Sequence, residues 1–137
     1  MHQFYDDKKV CAIKESIKGT DNIELVKPNE MNLMKELATC DLLITDYSSV
    51  GFDCTLLNIP VILFQPDAEE YFKHRDTYYP LEEIEKYSIR YVDELIETII
   101  SEKYNINLFF RDRLPKHIDY DYILKGEHIK KMYQYFR

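Results

Sequence analysis

Residues 45–49 read Thr-Asp-Tyr-Ser-Ser, four hydroxyl-bearing side chains and one carboxylate between the apolar runs Leu42–Ile44 and Val61–Phe64. Each run has the length and continuity of a strand covered on both faces. A helix is expected to start just after the serines. Ser48 and Ser49 would then cap its first turn, where orphan backbone N–H groups and the positive end of the helix dipole can receive a phosphate. The chemistry on offer is the holding of an anion at the end of a strand.

The flanking elements must position that turn. Lys8 to Lys18 carries Val10, Ile13 and Ile17 at spacings of three and four, an amphipathic helix stopped by Gly19. Residues 23–26, Ile-Glu-Leu-Val, read as a short strand. Pro28-Asn29 opens a helix with Met31, Leu33, Met34 and Leu37 on its apolar face, and a strand over 42–45 follows. Beyond Val61–Phe64, Ile89–Tyr91 reads as an edge strand. A helix over 92–102 carries Leu95, Ile96, Ile99 and Ile100 on one face. Helices alternating with strands this short predict an α/β fold with a Rossmann-like parallel sheet. One domain is expected, with a core over about 1–103 and a helical, aromatic tail over 104–137 that packs on a neighbouring domain. Ligands of such sheets sit outside the carboxyl ends of the strands, where both Thr45–Ser49 and Gln65-Pro66-Asp67 fall. The tyrosine-rich stretch 71–80 reads as a lid or acceptor loop.

Composition excludes several classes. A formal charge of −7 and a pI near 5.1 argue against nucleic acid as a partner, since that needs a basic face to displace counterions. The 3 cysteines, Cys11, Cys40 and Cys54, show no C-x-x-C spacing and read as reduced thiols, Cys40 and Cys54 as small buried hydrophobes. His74, His117 and His128 have no metal-ligand spacing, so no metal site is assigned. No apolar run approaches the roughly 20 residues that cross a bilayer, and no secretory h-region opens the chain. Dinucleotide and P-loop glycine signatures are absent, so a phosphate would be held by other means. Met1-His2-Gln3-Phe4-Tyr5 shows no cap or strand pattern and reads as a sequence entered midway.

The turn belongs to a longer string: Leu-Ile-Thr-Asp-Tyr-Ser-Ser-Val over 43–50, then Phe52-Asp53, Pro60-Val61-Ile62, Asp67 and Tyr71. This string resembles the donor-nucleotide half of the CDP-glycerol glycerophosphotransferase family, the teichoic acid and capsule polymerases of bacteria. The resemblance is strongest over residues 29–75. It implies the C-terminal half of a GT-B architecture, with the N-terminal half supplied in cis or in trans, and CDP-glycerol or CDP-ribitol as the donor. Ser48 and Ser49 would hold the diphosphate, with Thr45 and Asp46 shaping the turn. Asp53 and Asp67 would each reach the donor or brace the loop, and Arg75 would pair with a phosphate or form a surface ion pair. The family's Lys-x-His-Pro stretch has its counterpart at Met1-His2-Gln3, which makes His2 the candidate catalytic residue.

The implied reaction is attack by a hydroxyl of a lipid-linked polymer on the β-phosphorus of the CDP-polyol, expelling CMP at the inner face of the membrane without a cofactor. The general base is expected in a His-Gly-Thr type motif of the other half, which this chain lacks, so the chain alone is expected to be inactive. Residues 81–90 depart from the family's usual Gly-Pro stretch, which leaves the acceptor open. Two other readings stand beside it: the donor half of a GT-B sugar-nucleotide glycosyltransferase, and a non-catalytic nucleotide-binding module.

Overall fold

A computed structural model describes residues 7–26, 32–75, 79–105 and 107–114, without the side chains of residues 7–9. The chain divides into two compact units, Met1–Glu36 and Leu37–Arg137. In the first, helix α1 spans Asp7–Ser16, and Gly19 follows at φ +86°, a left-handed stop that suits a residue without Cβ. The expected strand over 23–26 does not form: these residues are in no ladder, and Ile23 is 53% exposed. β-branched residues favour extended backbone, but a strand exists only where a neighbour takes its hydrogen bonds. Pro28 and Asn29 lie outside the described residues; the helix expected there is seen as α2, Leu33–Leu37.

The second unit follows the alternation. Strand β1 (Leu43–Thr45) leads through the hydroxyl-rich turn into α3 (Val50–Leu56), then β2 (Val61–Phe64) and α4 (Ala68–His74). After these come α5 (Leu81–Ile84), a 3-10 turn (Glu85–Tyr87), β3 (Ser88–Ile89), α6 (Val92–Ile100) and α7 (Leu108–Arg111). The three strands are parallel in the order β1-β2-β3, with Leu43 opposite Val61 and Leu63 opposite Ser88. The fold is α/β with a small open parallel sheet, consistent with a Rossmann-like fold. Only the central strand meets the expectation of burial on both faces: Val61, Ile62 and Leu63 are buried, whereas Ile44 of β1 is 44% exposed.

Between β1 and β2 the chain must reverse through α3 within a few residues. The reversal is made by Asn58, at φ +61°. Ile59 N–H donates to Cys54 O at 2.8 Å and Asn58 N–H to Thr55 O at 3.2 Å, the paired bonds of a Schellman stop with asparagine in the left-handed position. Pro60 then enters β2, and its carbonyl accepts from Leu43 N–H at 3.0 Å, setting the register of the two strands.

The core gathers Leu37, Cys54, Ile59, Val61, Leu63 and Ile84 with Phe109 and Phe110. The last two correct the reading of the tail: its first aromatics enter this unit's own core rather than a neighbouring domain. Asn107 enables this. Its Oδ1 caps α7 by accepting from Phe109 N–H at 3.0 Å, while its Nδ2 donates to Tyr87 O at 3.1 Å. The aromatics of residues 115–137 lie outside the described residues.

Candidate functional site

The carboxyl ends of β1 and β2 open onto a cavity of about 240 Å³. Asp46, Tyr47, Ser48 and Ser49 line one side, Gln65 reaches it from the end of β2, and aromatic rings from Phe52 to Phe110 complete the wall. The turn is held from three directions. Gln65 Nε2 donates to the Asp46 carbonyl at 3.0 Å, Tyr47 Oη donates to Asp67 Oδ1 at 2.9 Å, and Tyr47 stacks on Tyr71 with planes 4° apart and centroids at 3.5 Å. Strand end, next strand end and helix α4 are thereby tied together across 20 or more residues of sequence.

The serines do not act alike. Ser48 Oγ accepts from Val50 N–H at 3.3 Å, a local bond across the start of α3. Ser49, directly before α3, has φ −66° and ψ −10° and makes no side-chain cap, contrary to the expectation that both cap the first turn. A capping serine needs extended backbone to swing its oxygen over the second or third N–H; Ser49 has already adopted helical angles. Both side chains are exposed on the cavity wall.

Of the other candidates, Asp46 lines the cavity. Thr45 and Asp53 are half-buried and stand outside its lining. Asp67 occupies the position before α4, where its carboxylate is engaged by Tyr47 rather than by the helix. Arg75 follows α4, its guanidinium carbon 5.9 Å from the centroid of Tyr71. His2 lies outside the described residues. The structure therefore brings Asp46, Ser48 and Ser49 together and links Asp67 and Arg75 to them through Tyr47 and Tyr71.

Two features escaped the sequence reading. Gln65 is 1% exposed and supports the turn from below; the cue was a polar residue directly following a fully apolar strand. Tyr47 is the second, its phenol pushed well above the ordinary tyrosine value by burial first, then by the hydrogen bond and charge of Asp67, with smaller contributions from Asp46 and Tyr71. It stays a neutral donor throughout the physiological range. Cys54, fully buried on α3, has its thiol pushed up by burial, then by Cys40 and Asp53, and serves packing rather than chemistry.

The family model described as CDP-Glycerol:Poly(glycerophosphate) glycerophosphotransferase matches residues 1–120. The chain belongs to that family. Among curated relatives, it is 40% identical over 84 residues to the teichoic acid poly(ribitol-phosphate) polymerase of Bacillus spizizenii, the match covering 56% of this chain and 14% of the relative. It is 45% identical over 62 residues to the teichoic acid ribitol-phosphate primase of the same organism, covering 45% of this chain and 16% of the relative. The chain thus spans about one-seventh to one-sixth of the length of the curated relatives it matches. No solved structure matches. Among the described residues, no helix is long and apolar enough to cross a membrane.

Proposed function

We propose that this chain is a donor-binding part of a teichoic-acid polyol-phosphate transferase, taking CDP-glycerol or CDP-ribitol and passing polyol phosphate to a polymer hydroxyl. The observation that carries the reading is the family match over residues 1–120, combined with the position of Ser48 and Ser49 at the carboxyl end of a parallel strand. The names of both curated relatives point to ribitol phosphate and the family description to glycerophosphate, so either polyol fits.

In the reaction, an acceptor hydroxyl attacks the phosphorus that bears the polyol. The new P–O bond forms as the bond to the bridging oxygen breaks, CMP leaves with that oxygen, and the acceptor proton passes to a base. Phosphoryl transfer depends mostly on positioning and charge stabilisation. The share assigned to this chain is positioning: the Ser48 and Ser49 hydroxyls and the turn's backbone amides hold the diphosphate, Thr45 and Asp46 shape the turn, Asp53 and Asp67 brace it, and Arg75 supplies charge from the end of α4. A further domain completing a GT-B cleft, in the same polypeptide or a separate one, brings the base and the lipid-linked acceptor at the inner membrane face. His2 stands in this reading as a phosphate-side group.

Calorimetric titration of the chain tests the proposal. CDP-glycerol or CDP-ribitol should bind in preference to UDP-sugars, and the double substitution Ser48→Ala, Ser49→Ala should weaken that binding at least about tenfold, the loss of one or two hydrogen bonds to a charged group. A preference for UDP-glucose, or full affinity without both hydroxyls, would overturn it.

A further inference from the structure

The cavity wall contains one polar side chain whose bonding capacity the fold leaves half used. Gln65 is buried, and three of its polar groups are engaged: its N–H donates to Ile89 O at 2.9 Å, its carbonyl accepts from Ala68 N–H at 3.3 Å, and Nε2 donates to Asp46 O at 3.0 Å. The fourth, Oε1, has no partner among the described residues. The amide orientation follows from chemistry, because a backbone carbonyl only accepts and so must face the nitrogen. Buried side-chain oxygens are nearly always paired in folded proteins, so an unpaired one on a residue that lines a cavity points to a missing donor.

The surroundings narrow what that donor is. The only charged side chain lining the cavity among the described residues is the Asp46 carboxylate; no lysine or arginine lines it. An ionised phosphate oxygen only accepts, and against Oε1 it would repel. A hydroxyl both donates and tolerates a carboxylate nearby. At about 240 Å³ the cavity falls below the roughly 300–1,000 Å³ of a site for a whole drug-sized ligand, so it holds one end of an extended donor while the phosphates stay at the serine rim.

We propose that Gln65 is a specificity-determining residue whose Oε1 accepts a hydrogen bond from a hydroxyl lying next to the diphosphate of the donor substrate. This rests on the donor-binding reading above. Two hydroxyl-bearing groups flank the diphosphate, the polyol on one side and the ribose on the other. The chemistry is common to both, and the experiment separates them.

Affinities of the full chain are measured by calorimetry for CDP-glycerol, CDP, inorganic pyrophosphate, the propyl ester of CDP, which has no polyol hydroxyl, and 2′,3′-dideoxy-CDP. The isosteric Gln65→Met variant also loses the Nε2 bond to the diphosphate turn, so the reading is the ratio: its affinity for CDP-glycerol relative to pyrophosphate should fall about tenfold from that of the native chain. If the polyol is read, the native chain loses the same factor on going from CDP-glycerol to the propyl ester, and the variant loses nothing further; if the ribose is read, the same holds between CDP and its dideoxy form. The ligand-side comparison needs no variant to fold. Equal weakening of pyrophosphate by Gln65→Met, or indifference of the native chain to both missing-hydroxyl analogues, overturns the inference while leaving the donor reading intact. Failure of the native chain to bind any cytidine compound sinks both.

Discussion

Helices α3 and α6 flank the same sheet and carry opposite lessons. α6 has the stronger apolar face, with Val92, Ile96 and Ile100 repeating every four residues, yet it buries none of its residues, and Ile100 is 78% exposed. α3 is shorter and less regular, yet Gly51, Cys54 and Thr55 are all buried in it. The difference is size. Small residues let the backbone of α3 approach its neighbours, and Phe110 of α7 lies so close over Gly51 that a Cβ there would overlap its ring. Phe52 closes the contact edge-on, with ring centroids 4.8 Å apart. Periodicity says that a helix has an apolar face; it does not say what covers it.

The contrast can be broken most severely at Phe110. Replacing it with alanine should cost about 3–5 kcal/mol, because the cavity left against α3 cannot be refilled from a rigid glycine surface. Gly51→Ala attacks the same contact from the other side and should cost about 1–3 kcal/mol by overpacking. The pair combined with a smaller ring-side residue, Gly51→Ala with Phe110→Leu, should lose less than the sum of its parts. Urea denaturation midpoints report all three; additive losses would mean that the two residues do not share one contact.

A milder probe is alkaline pH, which acts on the α3 side and on the site but not on α6. The folded chain holds the protons of Cys54 and Tyr47 more tightly than the unfolded chain does. Stability from these groups is therefore fully present below the unfolded values. It is lost as pH rises past about 8.5 for the thiol and past about 10 for the phenol. Midpoints in urea should be flat between pH 7 and 8 and fall steadily toward pH 10.5. Cys54→Ala should remove the earlier part of that fall and Tyr47→Phe the later. The smallest effect belongs to α6: Ile96→Ser and Ile100→Ser should shift stability by no more than about 0.5 kcal/mol, as for other surface positions. A loss of 2 kcal/mol or more at Ile96 would show that its face is covered in solution.

How much of this was legible depended on how local the cause was. The run Val61–Phe64 and the Thr45–Ser49 turn were readable because an apolar strand and its polar exit are written in consecutive residues, and the parallel order followed from helices lying between strands. The expected strand at 23–26 fails because it needs a partner that local pattern does not name, and for the same reason the face of α6 could be read from sequence but not that Leu95 and Ile99 would be half-buried while Ile96 and Ile100 stay exposed. The entry of Phe109 and Phe110 into the core was equally hidden, because it depends on Asn107 meeting Tyr87 across 20 residues of chain. At the site, the motif located the serines and Asp46, while Gln65 and the Tyr47–Asp67 bond emerge only when two strand ends are seen side by side.

Arg113 illustrates what such long-range contacts provide. Its guanidinium lies 3.9 Å from the Phe109 centroid and 4.7 Å from that of Tyr79, and it pairs with Glu83 at 2.7 Å while bonding Phe109 O at 3.1 Å. Both rings belong to the cavity wall. A planar guanidinium lying over two aromatic rings thus backs the wall from behind. One side chain so fastened to a helix, a ring on each side and a distant carboxylate acts as a keystone, so the far wall of the chamber is set by a residue that never touches its contents.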